Sequence, residues 1–421
     1  MTLGFYTLPS ELLDHILSFL AAEDLARLSQ TSKRLNLHAY DERLWQRLIQ
    51  DCVPGCTIKA PPQDCSFRVL YQAYYPNWFL PKHKIWFSDE VNTGKILIAR
   101  YDPRRATIDA YRLVAERTAA AWYNWDNDPS VVIHDFHPRV QLHLEDPSIC
   151  FDFHLSHAAL FGRAARFDNE LHMKALGPRP MMQASFFLCR KLPPDRQTSQ
   201  MELWPPRTIP AIERVQNESE EEFQGAEHKP SCLGEASLQH FRLRRWLEFG
   251  NVHMGSEVHT YSTLLPELYT PTKEKPWRGI WIGDYDPHGC EFLLMHQPDD
   301  ELKEDGEQQE DEQNKKQYAL RGRLDAIKLT GDPNVPRGQC TFSAEDVGDD
   351  GLERVVEDGI FKGSRIIRSK GHIASAGFVH DSWMDSALIM ISYDKLAHYW
   401  KDFDHISYFR RVDIDQFLVP D

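Results

Sequence analysis

The first apolar rhythm in the chain is helical. Leu12, Ile16 and Leu20 recur at i, i+4 and i+8, with Leu13 and Leu17 beside them, so the apolar stripe is wide rather than a thin seam. Pro9 suits the first turn of that helix. Asp24, an N-cap type of residue, predicts a second short helix burying Leu25, Leu28 and Leu35 against the first. Residues 41–49 predict a third, carrying Leu44, Trp45, Leu48 and Ile49. Three short helices in roughly 40 residues are at the limit of what folds alone, so part of this apolar surface is expected to wait for another protein. A spacer helix is predicted over residues 66–75, with Phe67, Leu70, Tyr71 and Tyr74 on one side.

From Trp78 onward the period changes from helical to two. Residues 84–87, 94–101, 131–134 and 139–144 read as short strands; the last alternates Val140, Leu142 and Leu144 against Arg139, Gln141 and His143. Residues 277–295 read as a hairpin about an Asp-Pro-His-Gly turn. Residues 321–329 and 339–343 flank a turn cluster over 330–338, and 359–367, 373–379, 387–393 and 405–412 read as further strands. Residues 236–249 fit an amphipathic helix. Many short strands separated by turns predict a closed or nearly closed antiparallel barrel, because closure removes exposed edges. The fold class expected is α+β: a three-helix module over residues 1–50, a linker and spacer helix over 51–77, and a barrel-like domain over 78–421. Two stretches interrupt it, about 193–235 and 298–316, whose composition cannot bury enough apolar area to offset ordering entropy.

Charge and cysteine usage narrow the class. Of the net charge of −15, residues 299–316 supply −6. With no basic stripe, the acidic balance argues against nucleic acid, and the short cluster Arg242, Arg244 and Arg245 reads as the wet face of a helix. No run of eighteen uncharged apolar residues predicts a membrane span, and Met1 starts no signal-peptide pattern, so a cytoplasmic or nuclear protein is expected. Eight scattered cysteines without a Cys-x-x-Cys pair read as reduced thiols.

Residues 8–35 carry a family resemblance. Leu8, Pro9, Glu11, Leu12, Ile16, Leu17 and Leu20, then Asp24, Leu25, Ser32, Arg34 and Trp45, fill the pattern of an F-box. The bland alternative is a three-helix lid on the larger domain. The resemblance implies binding of the adaptor Skp1, and through it cullin and RING subunits, by Leu8, Pro9, Leu12, Leu13, Ile16, Leu17, Leu20, Leu25, Leu28, Leu35 and Trp45. The hairpin over 283–291, the loop over 328–338 and the closing Gly377, Phe378 and Trp400 are similar to the substrate domain of cyclin-D1-binding F-box proteins of the F-box-only thirty-one type; a related domain occurs in plant plastid Executer proteins. This implies a non-catalytic substrate receptor of a Skp1–cullin–F-box ubiquitin ligase. No compact Cys/His series matches a zinc site, so no metal and no cofactor are expected.

Candidate chemistry does not displace that reading. Cys150, His154 and His157 are ligand types, but Phe151 and Phe153 interleave them and a strand is the simpler reading. Asp284, Asp286 and Glu291 resemble paired glycosidase carboxylates only as common turn residues do. Substrate contact is expected at the barrel-end turns, through Tyr285, His288, Glu291, Asp332, Asn334 and Phe378. The competing class is a barrel that binds a small molecule or senses oxidation. Deleting residues 299–316 is expected to leave the melting temperature within about 5 °C of the parent; a larger drop in a thermal scan would mean that the acidic stretch packs.

Overall fold

The computed structural model describes residues 8–153, 171–173, 182–190, 230–299 and 321–420, apart from positions 64, 89, 91, 119, 250, 251, 286 and 287. The stretches proposed as insertions, and His154 and His157, fall mainly outside the described residues.

The N-terminal module has four helices rather than three: α1 (Ser10–Leu17), α2 (Ala22–Ser29), α3 (Lys33–Ala39) and α4 (Glu42–Gln50). The second starts two residues before Asp24, and Leu35 belongs to a helix of its own. Ser32 explains that break, because its hydroxyl accepts the Leu35 N–H and starts α3 anew; Asp41 caps α4 in the same way through Arg43 N–H. The spacer helix α5 (Phe67–Tyr74) is capped by Ser66, and α6 (Phe79–His83) follows.

An aromatic seam joins these helices to the rest. Trp45 meets Tyr71 at 5.6 Å, Tyr71 stacks on Trp78, and Trp78 meets Tyr74 and Tyr101 at 5.3 and 5.5 Å. One buried core therefore runs from Leu17, Leu25, Leu44 and Ile49 into the β-structure.

The strands are β1 (Ile85–Ser88), β2 (Ile96–Asp102), β3 (Thr107–Arg117), β4 (Ala121–Trp125), β5 (Asp128–Asp135), β6 (Pro138–Leu142) and β7 (Ile149–Asp152). Next come β8 (Leu171–Met173), β9 (Met182–Arg190), β10 (Ala236–Phe249), β11 (Val252–Ser262), β12 (Gly279–Asp284) and β13 (Cys290–His296), with the short helix α7 (Pro266–Tyr269) before β12. The last are β14 (Leu324–Lys328), β15 (Cys340–Ala344), β16 (Leu352–Val355), β17 (Arg365–Ser375), β18 (Val379–Met390), β19 (Lys395–Trp400) and β20 (His405–Arg411).

They form two sheets. The first has the order β6-β3-β2-β1-β11-β10-β9-β8, with β7 also on β3. Its central strands are buried on both faces, which is why they read as continuous apolar runs. Trp86, Leu97, Ala99 and Tyr101 face the helices, while Ile85, Phe87, Ile96 and Ile98 face the second sheet. The second closes into an eight-stranded ring, β12-β13-β14-β15-β17-β18-β19-β20, because Gly283 of β12 pairs back with Phe409 of β20. Trp281, Leu293, Phe342, Leu388, Leu396 and Phe409 fill its interior. Ile280, Ile282, Phe292, Leu294 and Ile327 point outward into the core shared with the first sheet. The β4–β5 hairpin joins through a parallel pairing of β5 with the first half of β20.

Three expectations need correction. Residues 236–249 are not a helix but strand β10, laddered on both sides, to β9 and β11. Its decisive signal is period two, Phe241 and Leu243 facing the core; the helical spacing of Leu238, Phe241 and Arg242 is incidental. Arg242 and Arg244 are consequently buried rather than a wet face. Residues 373–379 straddle a turn in which Gly377 and Phe378 have φ of 87° and 56°, and the strand expected from 359 starts at Arg365, after turn glycines at 359 and 363.

Ring closure leaves no room at two interior positions. A Cβ on Gly283 would enter the Phe409 ring, and one on Gly371 would enter the Trp400 ring. Gly371→Val is expected to lower the unfolding free energy by about 2 kcal/mol in urea titration, since overpacking forces ring and backbone to shift; unchanged stability would show that Trp400 moves aside at no cost.

Candidate functional site

The N-terminal module separates core from surface on each helix. Leu13, Leu17, Leu25, Leu35 and Trp45 are buried, and Trp45 Nε1–H donates to Ala39 O at 2.9 Å. They hold the module together and are not themselves a contact surface. Leu8, Leu20 and Leu28 are half-buried, and Pro9 is exposed. The open apolar surface is Leu12 and Ile16 on α1, Phe19 just after it and Leu37 on α3, at 50, 39, 74 and 76% exposure. α3 is held beside α1 by a 2.6 Å contact from His38 Nδ1 to Asp14 Oδ1. Phe19 and Leu37 were not among the expected contact residues; Phe19 at i+7 from Leu12 was the signal available for one of them.

At one end of the ring lies a buried ionic cluster. Alternation along β13 and β14 turns Glu291 and Lys328 inward, beside Leu293 and Ala326. Lys328 Nζ lies 2.7 Å from Glu291 Oε2 and 2.6 Å from Asp332 Oδ2, and 4.3 Å from the centre of the Tyr285 ring. Asp332 is fixed by its own loop, its Oδ1 accepting N–H bonds from Asn334 and Val335 at 2.6 and 2.9 Å. Tyr285 donates its hydroxyl to Thr341 Oγ1 at 3.1 Å.

One ammonium cannot neutralise two carboxylates, and the environment divides them. Burial, opposed by Lys328, pushes Glu291 up to about 8. Burial would raise Asp332 too, but Lys328, the neighbouring Glu291 carboxyl and the Val335 N–H override it and hold Asp332 at about 2. The cluster near neutrality is therefore one cation, one anion and one largely protonated carboxyl.

A second buried contact ties the parts of the molecule together. Asp284 bonds Arg117 at the end of β3 and lies 3.3 Å from His134 Nε2 on β5, so first sheet, ring and β4–β5 hairpin meet at one carboxylate.

The six residues expected to touch substrate divide accordingly. Tyr285, Glu291 and Asp332 are gathered around Lys328, and the two carboxylates are only 2 and 5% exposed, so they do not stand on the surface. His288 is exposed at the hairpin turn and Asn334 half-exposed. Phe378 joins them at the rim, because the β17–β18 turn docks on this loop: Gly377 and Phe378 N–H donate to Pro333 O at 2.8 and 3.2 Å. Lys328 itself was missed as a site residue; its place two residues after Ala326 in an alternating strand was the available signal.

Four of the eight thiols are poorly suited to redox sensing. Burial pushes Cys150 and Cys340 up to about 12 and Cys52 and Cys290 up to about 11, which suppresses the reactive thiolate.

Comparison with known proteins agrees with these parts. Residues 5–51 match the F-box-like family, and residues 261–416 match the cyclin D1 binding domain. The chain therefore carries an F-box-like module at its N-terminus. More particularly, it resembles the cyclin-D1-binding type, its ring strands β12 to β20 falling within the second match. It is 28% identical over 165 residues to Protein EXECUTER 2, chloroplastic, of Arabidopsis thaliana, covering 38% of this chain and 24% of that protein. It is 35% identical over 66 residues to F-box only protein 36 of Pongo abelii, covering 15% of this chain and 35% of that one. The chain thus spans a minor part of each relative's length.

Removing the cation tests the cluster. Lys328→Met is expected to cost about 3–5 kcal/mol in urea unfolding, because buried carboxylates lose their partner. The pH response has a defined sign. Glu291 has its folded value raised, so its contribution is full below its ordinary 4.5 and is lost as pH rises through about 8. The parent should therefore lose on the order of 3 kcal/mol between pH 5 and 8.5, and Glu291→Gln should flatten that slope. An equal slope in both proteins would place the titrating group elsewhere.

Proposed function

We propose that this chain is the substrate-receptor subunit of a Skp1–cullin–F-box ubiquitin ligase. The observation that carries the reading is the exposed set Leu12, Ile16, Phe19 and Leu37, left open on a module whose Leu13, Leu17, Leu25, Leu35 and Trp45 are buried. A small helical module that shows this much apolar surface to water is built to be covered. Skp1 covers it, and cullin and RING subunits follow through Skp1. The ring end holds a protein substrate at the rim made by His288, Asn334 and Phe378, with the Lys328 cluster beneath as a rigid floor. Ubiquitin transfer belongs to other subunits, and this chain acts by raising effective concentration. An interior filled by Trp281, Phe342 and Phe409 favours this reading over a small-molecule-binding barrel. The acidic balance favours a basic or neutral substrate segment.

The test begins at Ile16. A carboxylate there must be desolvated against Skp1, so Ile16→Glu is expected to weaken Skp1 binding by roughly 100-fold or more, about 2.7 kcal/mol, with melting unchanged. Skp1 capture at parental strength would end the F-box reading. The same variant is a better substrate trap than a chain lacking residues 1–50, because Leu44, Trp45 and Ile49 share a core with the sheet. Partners trapped by full-length Ile16→Glu and identified by mass spectrometry should be lost when His288→Ala and Asn334→Ala are added. Equal capture would move the substrate surface away from the rim.

A further inference from the structure

The sheet that closes into the ring also carries an open edge. β4 pairs with β5 alone, and among the described residues no strand lies on its outer side. Open edges are usually guarded by charge, proline or shortness. Other outer strands here obey that rule: β6 begins Pro138-Arg139, β16 carries Glu353 and Arg354, and β8 is three residues long. β4 reads Ala121-Trp122-Tyr123-Asn124-Trp125, without a charge or a proline.

Its most prominent side chain is also held ready. Trp122 is 50% exposed and lies flat on His134, ring centres 4.0 Å apart and planes 6° apart. His134 is buried and anchored 3.3 Å from Asp284. One face of the indole is therefore fixed, with His405 also 5.7 Å away, while half of the side chain stays exposed, the arrangement of a rigid aromatic anchor that costs little entropy to use. The edge has a polarity as well. At its C-terminal end stand the exposed carboxylates of Asp126, Asp128, Glu357 and Asp358, with Asn127 Nδ2 donating to Asp358 Oδ1 at 3.3 Å to bind the two turns together.

We propose that β4 is a strand-addition site for an extended segment of a partner protein, which continues the sheet by backbone hydrogen bonds, lays an apolar side chain on Trp122 and places Lys or Arg against the Asp126–Asp358 end. The main chain supplies affinity and the indole and carboxylates supply selectivity. The site uses none of the residues of the exposed F-box-like surface, and it reaches the ring end only through the His134–Asp284 contact.

The experiment uses the full chain and a synthetic amidated peptide, Lys-Arg-Thr-Val-Thr-Leu-Thr-Val-Thr-Gly, at about 1 mM. Amide hydrogen exchange at residues 121–125 should slow at least about fivefold. The effect should vanish with the same peptide N-methylated at alternate amides, weaken at least about threefold when Glu-Glu replaces Lys-Arg, and be lost in Trp122→Lys, whose exposed site tolerates the change. No slowing at 121–125, or equal slowing by the N-methylated peptide, overturns the proposal. Protection that appears without peptide and grows with protein concentration overturns it in favour of a second copy of this chain on the edge.

Discussion

The geometry of this molecule depends on one continuous packing contact, the aromatic seam from Trp45 through Tyr71, Trp78 and Tyr74 to Tyr101. A flexible linker between the helical module and the β-structure would let the two ends sample many separations. Here the connecting α5 is itself core: Phe67, Leu70 and Tyr74 are buried, and Tyr74 O–H reaches the backbone carbonyls of Ala106 and Phe151 on the first sheet. The helices cannot turn relative to the sheet without unstacking buried rings. For the receptor role proposed above, this stiffness is the useful property, since effective concentration falls when the joint is loose.

The same logic continues through the sheet into the ring. Ile85, Phe87, Ile96 and Ile98 share a core with Ile280, Ile282, Phe292 and Leu294, so the outer wall of the ring is an inner surface of the protein. Polar contacts then fix the end where substrate is proposed to sit. Asp284 gathers Arg117 and His134 from other parts of the fold, and Lys328 gathers Glu291 and Asp332. Buried charges of this kind add little net stability compared with apolar packing, but each requires its partners in place. They define the rim loops more sharply than hydrophobic contacts would.

Much of this was legible in the chain. The F-box helices were marked by apolar spacing, though Asp24 lies inside α2 rather than capping it, and the strands of the ring by short apolar runs between turn residues. The failures have physical reasons. In residues 236–249 two periods coexist, and only pairing with β9 and β11 selects the strand. Leu13, Leu17 and Trp45 look like docking residues because sequence cannot tell which side of an apolar stripe another helix of the same chain will cover. Glu291 and Asp332 look like surface turn residues because the ammonium that draws them inward sits on a different strand, with register decided by ring closure.

The extent of the family match follows from how the two sheets satisfy their edges. The ring over β12 to β20 closes on itself, so all eight strands find both neighbours within one continuous stretch of sequence, nearly the span of the cyclin D1 binding domain match. Such a unit can be joined to unrelated surroundings with its hydrogen bonding complete. The first sheet cannot: one face is completed by the F-box and spacer helices and the other by the ring. It therefore acts here as the adaptor between two modules, shaped by both, and its residues have to fit their particular neighbours rather than a closed pattern of their own. The β4–β5 hairpin obeys the same principle from the opposite side. It is attached to a ring that is already complete, so its outer edge is left with hydrogen-bonding groups that nothing in the ring needs.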